Sequence, residues 1–283
     1  MFPTPIQNYS LKVNVAYRLL LILTLLVWLL PLIAVMLTSI RTFEDVLAGN
    51  YWTFPEETAL ISNYSKVFEN GKMGRFFLNS LIITLPTVFG TLFLSSLAGY
   101  SLAMHRFKLN LLVFAMFIAG NFVPFQILMI PVRNISIEMG MYNTHLGLII
   151  FHIAFQTGFC TFFLRNFIKE LPFELIEAAR ADGATEWIIY RKIILPLVIP
   201  ALAALGVLEF TFIWNDYFWA LVLTQGDSVK PITVGLDVLR GQWTTSWNLV
   251  SAGSVVAALP PVIMFFILQR QFIQGLTFGA VKG

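Results

Sequence analysis

The sequence predicts an all-α polytopic membrane protein with six transmembrane helices, and two observations support this fold class. Of the 283 residues, 58% are hydrophobic and only 12% are charged, whereas a soluble domain is about half apolar and about a quarter charged. Long runs without Asp, Glu, Lys or Arg occur between residues 18–41, 75–106, 108–133, 138–165 and 240–270, and an interrupted run follows residue 192. Each run is long enough for a membrane span, because a helix needs about 20 apolar residues to cross the hydrocarbon core.

The runs place the predicted spans at residues 16–39, 76–104, 110–132, 146–165, 197–224 and 249–272. The first is expected to remain as a membrane helix, because it is too long for a signal peptide and no small-x-small cleavage site follows it. In the third, Pro124 and Pro131 predict either a broken helix that lines a cavity or simple kinks. Glu209 and Asp216 interrupt the fifth span near its far end.

The distribution of Lys and Arg predicts the orientation. With the N-terminus in the cytoplasm, 11 of the 18 basic residues lie inside and 7 outside, so both termini are predicted to be cytoplasmic.

The net charge of +3 is spread along the chain and gives no nucleic-acid footprint. Cys160 is interpreted as a small buried hydrophobe. His152 and Gln156 share a helix face, which favours an interhelical hydrogen bond over a metal site.

A charged, alanine-rich stretch, EAARADGATEWIIYRKIILP, runs from Glu177 to Pro196 between the fourth and fifth predicted spans. We interpret it as two short helices, because Gly183 can take the left-handed conformation that ends the first and Thr185 can cap the second. Small side chains on the first helix let another surface approach the backbone closely, and Glu177 adds a charge at the edge. The stretch is therefore either a docking element for a soluble partner or an ordinary solvated amphipathic loop.

This stretch resembles the EAA signature of permease subunits of bacterial ABC importers, through its Glu-Ala-Ala, its glycine six residues later and its Leu-Pro. The segment FLNSLIITLPTVFGTLFLSSLAGYSLAMHRF resembles the second helix of carbohydrate permeases, and FTFIWNDYFWALVL resembles their fifth helix. The tail LQRQFIQGLTFGAVKG resembles the end of the maltose-importer permease of the MalG type. The resemblance covers nearly the whole chain. It implies the type I ABC importer permease fold and a bacterial or archaeal cytoplasmic membrane.

The resemblance also implies a coupling role for the EAA loop, which would insert into a cleft on a separate ATPase subunit with Glu177 facing a guanidinium. The coupling residues so assigned are Glu177, Ala178, Ala179, Asp182, Gly183, Leu195 and Pro196, and the tail residues that would contact the ATPases are Gly279, Lys282 and Gly283. The implied partners are a second homologous permease, two ATPase copies, an extracytoplasmic substrate-binding protein and membrane lipid. No GxxxxGK[ST] phosphate loop occurs in the chain. The chain is thus expected to be a transport subunit without a cofactor, with ATP and Mg bound by the partner ATPase.

Polar residues inside the spans are costly and predict a substrate pathway. Aromatic faces beside amide and carboxylate groups suit a sugar, and the alternative is an interfacial aromatic belt with helix–helix hydrogen bonds. The pathway candidates are Trp214, Asn215, Asp216, Trp219, Asn121 and Gln126. No Lys or Arg lies deep in a predicted span, which favours a neutral saccharide, typically an oligosaccharide, over a glycerol-phosphate-type solute.

The predicted organisation has three parts: residues 1–75 with the first helix and an external loop, a core transmembrane domain at 76–272 with the EAA loop at about 165–196, and a cytoplasmic tail at 273–283. The loop with Trp243 and Trp247 and the external segment 41–75 are candidate surfaces for the binding protein.

A secondary transporter is a rival class, but such proteins usually carry inverted repeats that this sequence lacks. An intramembrane serine protease would need a nucleophile and a histidine on facing helices, and no convincing pair is found.

Overall fold

The computed structural model describes residues 10–240 and 245–277, with side chains up to residue 269. Every regular element in these ranges is helical, and the β contacts found there are two isolated bridges. The long apolar helices among them are α1 (Leu11–Ser39), α4 (Met73–Met104), α7 (His145–Lys169), a continuous helix Glu186–Trp214 and α13 (Trp247–Thr277). A bent helix pair at Asn110–Gly120 and Phe125–Glu138 supplies a sixth apolar segment. The predicted all-α fold is confirmed, and the five long helices and the bent pair correspond to the six predicted spans.

Contacts group the helices into two units. One comprises the residues up to Gly71 with Val238–Val256, and the other comprises Lys72–Asp237 with the residues from Ala257 onward. The predicted boundaries at residues 75 and 272 stay predictions.

The first unit contains α1, α2 (Phe43–Leu47), α3 (Leu60–Glu69) and the beginning of α13. Its centre is polar. Buried Asn63 donates from Nδ2 to the carbonyl oxygens of Ser39 at 2.9 Å and Arg41 at 2.8 Å, and Asn248 donates to Asn63 Oδ1 at 3.1 Å. Arg41 is fully buried and pairs with Asp45. These bonds satisfy polar groups that would otherwise be costly to bury.

The second unit is built on α4, α7 and the helix Glu186–Trp214, which pack through small and polar residues. Ser95 donates to the Thr157 carbonyl oxygen at 3.3 Å, and Ser96 shares a 2.7 Å hydrogen bond with the Tyr190 hydroxyl. Cys160 is buried beside Leu164, as predicted from the sequence. Small interface residues allow the close helix approach that is typical of membrane bundles.

The third predicted span is broken rather than kinked. α5 (Asn110–Gly120) is followed by a 3-10 turn (Phe125–Leu128) that continues into α6 (Met129–Glu138), and the two segments meet at 88°. Pro124 has no N–H and disfavours a helical residue before it, so α5 cannot continue through it. Asn121 closes α5 by donating from Nδ2 to the Phe117 carbonyl oxygen at 2.8 Å. The segment also extends to Glu138, beyond the predicted end at residue 132.

The fifth predicted span, 197–224, is wrong at both ends. α9 (Glu186–Ile189), a π-helical turn (Tyr190–Ile194) and α10 (Leu195–Trp214) form one continuous helix, so the second short helix predicted after Gly183 is the beginning of this span. In the π turn the Leu195 N–H donates five residues back to the Tyr190 carbonyl oxygen, and Pro196, which has no N–H, follows directly. At the far end the helix stops at Trp214, and α11 (Phe218–Leu223) follows after residues 215–217.

The remaining described helices are short. They are α8 (Phe173–Ala181), α12 (Ile232–Gly235) and a 3-10 turn, Leu236–Leu239. α8 carries the Glu-Ala-Ala motif, and α12 follows the loop after α11.

Candidate functional site

The two helix breaks line one cavity. It is open, has a volume of about 420 Å³, and is bounded by residues of both breaks together with one face of α7. Its lining consists of Asn121, Phe125, His152, Phe155, Gln156, Phe159, Phe212, Asn215, Asp216, Tyr217, Phe218 and Trp219. Within the described part of the chain, the lining therefore offers three amides, one carboxylate, one imidazole and seven aromatic rings, and it includes no Lys or Arg.

Asp216 lies in the break between α10 and α11 and stabilises it through hydrogen bonds. Its carboxylate accepts hydrogen bonds from the backbone N–H groups of Trp219 at 3.2 Å and Ala220 at 2.9 Å, which caps α11. Asp216 Oδ2 also lies 3.5 Å from His152 Nε2 on α7. His152 thus makes a charge contact with the break between α10 and α11, and its predicted interhelical hydrogen bond stays a prediction. Among the described residues, no group of three or more His, Cys, Asp or Glu could hold a metal.

The wall of the cavity is closely packed, and the amide side chains of Asn121 and Asn215 remain exposed. Trp219 is buried, with its ring centroid 4.2 Å from that of Phe151. A Cβ at Gly158 of α7 would lie 2.7 Å from the Phe117 carbonyl oxygen, so α5 and α7 are in close contact beside Asn121. Asn121 and Asn215 are themselves exposed, and each donates to the carbonyl oxygen four residues earlier. Among the described hydrogen bonds, none is accepted by the side-chain amide oxygen of Asn121 or Asn215.

The six pathway residues predicted from the sequence fall into two groups. Asn121, Asn215, Asp216 and Trp219 line the cavity, and Trp214 and Gln126 do not. Trp214 is buried, donates from Nε1 to the Ala257 carbonyl oxygen at 2.9 Å and stacks on Phe210. Gln126 is exposed in the turn before α6. His152 and Gln156 were not among the pathway candidates, although their spacing of four residues already placed them on one face.

The EAA loop is an exposed helix and turn fixed to the bundle through one apolar face. Ile176 of α8 is buried in a cluster that includes Tyr100 of α4 and Ile189. Gly183 has a φ of +77°, and Thr185 Oγ1 accepts from the Ile188 N–H at 3.4 Å. Both caps predicted from the sequence are confirmed. Of the predicted coupling residues, Ala179 and Leu195 are half-buried, and the exposed ones are Glu177, Ala178, Asp182, Gly183 and Pro196.

Glu186 anchors the EAA loop, and sequence reasoning missed this role. Its carboxylate accepts from the Tyr100 hydroxyl at 2.5 Å and from Arg180 Nε at 2.9 Å, and it lies 3.3 Å from His105 Nε2. Tyr100 and Glu186 are 86 residues apart in the chain, so no local pattern could reveal the pair. The loop is thereby tied to the end of α4 as well as to its own span.

Two sets of predicted residues lie outside the described part of the chain. They are the tail residues Gly279, Lys282 and Gly283, and Trp243 in the loop before α13. Their predicted contacts stay predictions.

The apolar spans, the cavity between broken helices and the exposed charged loop together define a polytopic membrane permease. Residues 92–278 match the family described as "Binding-protein-dependent transport system inner membrane component", and the chain belongs to this family. It is therefore the permease subunit of an ABC importer and a component of the inner membrane. The resemblance seen in the sequence is confirmed.

Similar proteins include sugar-transport permeases. The chain is 36% identical over 262 residues to the osmoprotective compounds uptake permease protein GgtD of Synechocystis sp., with 90% of this chain and 88% of that protein covered. It is 33% identical over 282 residues to the arabinooligosaccharides transport system permease protein AraQ of Halalkalibacterium halodurans, with 99% and 98% covered. A chain from the crystal structure of a bacterial ABC transporter involved in the import of the acidic polysaccharide alginate superposes with a TM-score of 0.82. That match covers 95% of this chain and 100% of the other at 24% identity, and it supports the fold.

Proposed function

We propose that this permease moves a neutral saccharide, typically an oligosaccharide, across the inner membrane by alternating access. It would act beside a second, related permease, two copies of a separate ATPase that bind ATP and Mg, and an extracytoplasmic binding protein. Both chain termini would lie in the cytoplasm. The family assignment and the saccharide named for the relative AraQ support this proposal, and the geometry of the EAA loop carries its coupling step.

The EAA loop is suited to transmit force from an ATPase, because it is exposed on one side and firmly held on the other. Ile176 buries one face of α8, and Glu186 ties the turn to α4 and Arg180. Glu177 is exposed. Its charge acts on Arg180, but no hydrogen bond or close ion pair between Glu177 and another described residue is found. A guanidinium on an ATPase could therefore pair with Glu177 through a charge-assisted hydrogen bond, which is strong and directional. Movement of such a partner would be transmitted to α10, which continues directly from the loop.

The cavity suits a neutral sugar better than a phosphate ester. Aromatic rings pack against the apolar C–H faces of a sugar, while the amides of Asn121, Gln156 and Asn215 can exchange hydrogen bonds with its hydroxyl groups. A phosphate would call for Arg or Lys, and the lining instead holds the Asp216 carboxylate. The charge of the lining, which is neutral to negative, therefore supports a neutral solute.

The first test of the proposal concerns Glu177. Glu177→Ala in the assembled complex, reconstituted in vesicles with its binding protein, should reduce uptake and substrate-stimulated ATP hydrolysis at least tenfold, because hydrogen bonds to charged groups contribute about 1.5–3 kcal/mol. The matched control is Glu174→Ala, which removes an exposed carboxylate one turn earlier on the same helix and should leave both activities unchanged. Equal activity of the two variants would remove Glu177 from the coupling step.

The second test concerns the composition of the complex and its energy source. Native mass measurement of the purified assembly should give one copy of this chain, one related permease and two ATPase copies. Uptake should survive collapse of the proton gradient and stop without ATP, whereas a secondary transporter would behave in the opposite way. A binding protein that recognises only anionic phosphate esters would refute the saccharide while leaving the importer assignment intact.

A further inference from the structure

A second concavity lies where α4 ends, α5 begins and α7 ends. It has a volume of about 510 Å³, and we call it the basic pocket. Among the described residues, no Asp or Glu lines the pocket, and four cationic side chains do: Arg106, Lys108, Arg165 and Lys169. None of the four forms an ion pair with a carboxylate among the described residues. Glu186 lies 3.3 Å from the lining residue His105, but the four cations outnumber this one carboxylate. The pocket therefore carries net positive charge, which favours an anionic ligand.

Arg165 gives the pocket a fixed donor group. Its guanidinium lies 3.7 Å above the ring of Phe114, which holds the side chain against α5. One terminal nitrogen donates to Asn166 Oδ1 at 3.3 Å, whereas Arg165 Nε is buried and has no hydrogen-bond partner among the described residues. A buried donor without an acceptor is costly. Arg165 Nε is thus not satisfied by any described part of the chain, and the cation is held in place at the wall of the pocket.

The rim of the basic pocket is apolar and exposed. Phe107, Leu111 and Phe173 line it with exposed fractions of 43%, 73% and 46%. The pocket also lies where three long charge-free segments end, at Arg106, Lys108 and Arg165. Such residues mark the level of the membrane interface, where phosphate groups meet acyl chains. A ligand with an anionic head and an apolar tail would match both parts of the pocket.

We propose that the basic pocket binds the phosphate head group of an anionic phospholipid, with its acyl chains lying along Phe107 and Leu111. Basic pockets between membrane helices are a known way to recognise such head groups. A free phosphate would leave the apolar rim exposed, so the rim distinguishes the lipid from a soluble anion. Phe173 is the first residue of α8, and a bound lipid would therefore contact the base of the EAA loop. This inference goes beyond the proposed function and does not depend on the solute.

The test uses the complete complex and phosphatidylglycerol as the probe. Binding is measured by native mass spectrometry during titration with phosphatidylglycerol or phosphatidylcholine. The double variant Lys108→Gln/Lys169→Gln should lower the affinity for phosphatidylglycerol about 25-fold, since each cation near the membrane surface contributes about fivefold. The matched control, Arg191→Gln/Lys192→Gln, removes two exposed cations at the beginning of the fifth span, outside the pocket, and should leave the affinity unchanged.

Three results would overturn the proposal. An equal loss of affinity in the control would mean that the charges attract lipid without a defined site. Equal binding of phosphatidylcholine would remove the requirement for an anionic head group. Displacement of phosphatidylglycerol by millimolar inorganic phosphate would indicate a site for a soluble anion. Selective retention of phosphatidylglycerol by the parent and the control, with loss in the double variant, would support the proposal.

Discussion

Substitutions of Gly183 test whether the left-handed turn of the EAA loop is needed for coupling. The backbone conformation and the surroundings of Gly183 predict different results for Asn, Ala and Pro at this position. Its φ is +77°, and its N–H donates to the Arg180 carbonyl oxygen at 3.0 Å. A Cβ added at this position would meet nothing within 4 Å. Within this chain, a small side chain at position 183 would therefore cost free energy only through the left-handed backbone conformation, and not through a steric clash.

The three substitutions should follow a graded order. Asn tolerates the left-handed region and should change little. Ala costs about 1–2 kcal/mol there, which lowers the population of the native turn about 5- to 30-fold. Pro is excluded, because it fixes φ near −65° and removes the N–H that bonds to Arg180; this costs about 3 kcal/mol or more. Since Ile176 and Glu186 hold the loop independently, the complex should still assemble in all three.

The assay is uptake and substrate-stimulated ATP hydrolysis by the reconstituted complex, with assembly followed by size-exclusion chromatography. Coupling should be nearly unchanged in Gly183→Asn, reduced several-fold in Gly183→Ala and lost in Gly183→Pro. A fully coupled Pro variant would refute the importance of the turn. Asn and Pro variants that are equally defective would show instead that any side chain at this position blocks a docking surface.

Three further predictions concern the cavity, the tail and the ion pairs of Asp227 in the loop between α11 and α12. Asp216→Asn keeps an oxygen that can cap α11 but removes the charge beside His152, so vesicle uptake should fall about tenfold with normal assembly; unchanged uptake would exclude a pathway role. Deleting residues 278–283 should lower coupled ATP hydrolysis more than complex yield, as the family resemblance implies, and equal activity would indicate an unattached terminus. Hydrogen bonds from Lys72, and to a smaller extent from Lys230, lower the pKa of Asp227 below its ordinary value of 3.8. The ionised Asp227 carboxylate therefore stabilises the fold above pH 3.8, and this stabilisation is lost as the pH falls through the lowered pKa. The difference in thermal midpoint between the parent and Asp227→Asn should thus be constant from pH 8 to 5 and shrink only below about pH 4; a difference that already shrinks between pH 8 and 5 would contradict it.

Local sequence signals predicted the features that depend on neighbouring residues. The six apolar segments were recognisable because a membrane span needs about 20 consecutive apolar residues, whatever its partners are. Gly183 and Thr185 were recognisable for a similar reason, since a helix end is determined by the conformational freedom and the capping group of one residue. Pro124 likewise marked an interruption, although the choice between a kink and an 88° break was left open.

Tertiary contacts decided the rest. Asp216 interrupts the apolar run in the sequence, but this did not reveal that α10 stops at Trp214. The break depends on Asp216 capping α11 beside His152 of another helix. Trp214 and Trp219 are similar in sequence context, yet one packs against Phe210 and the other lines the cavity. Glu186 reaches Tyr100, 86 residues away. The length of an apolar run determines which segments enter the membrane. The positions of polar groups within a bundle are determined instead by which distant partners can satisfy them, and only the folded chain brings those partners together.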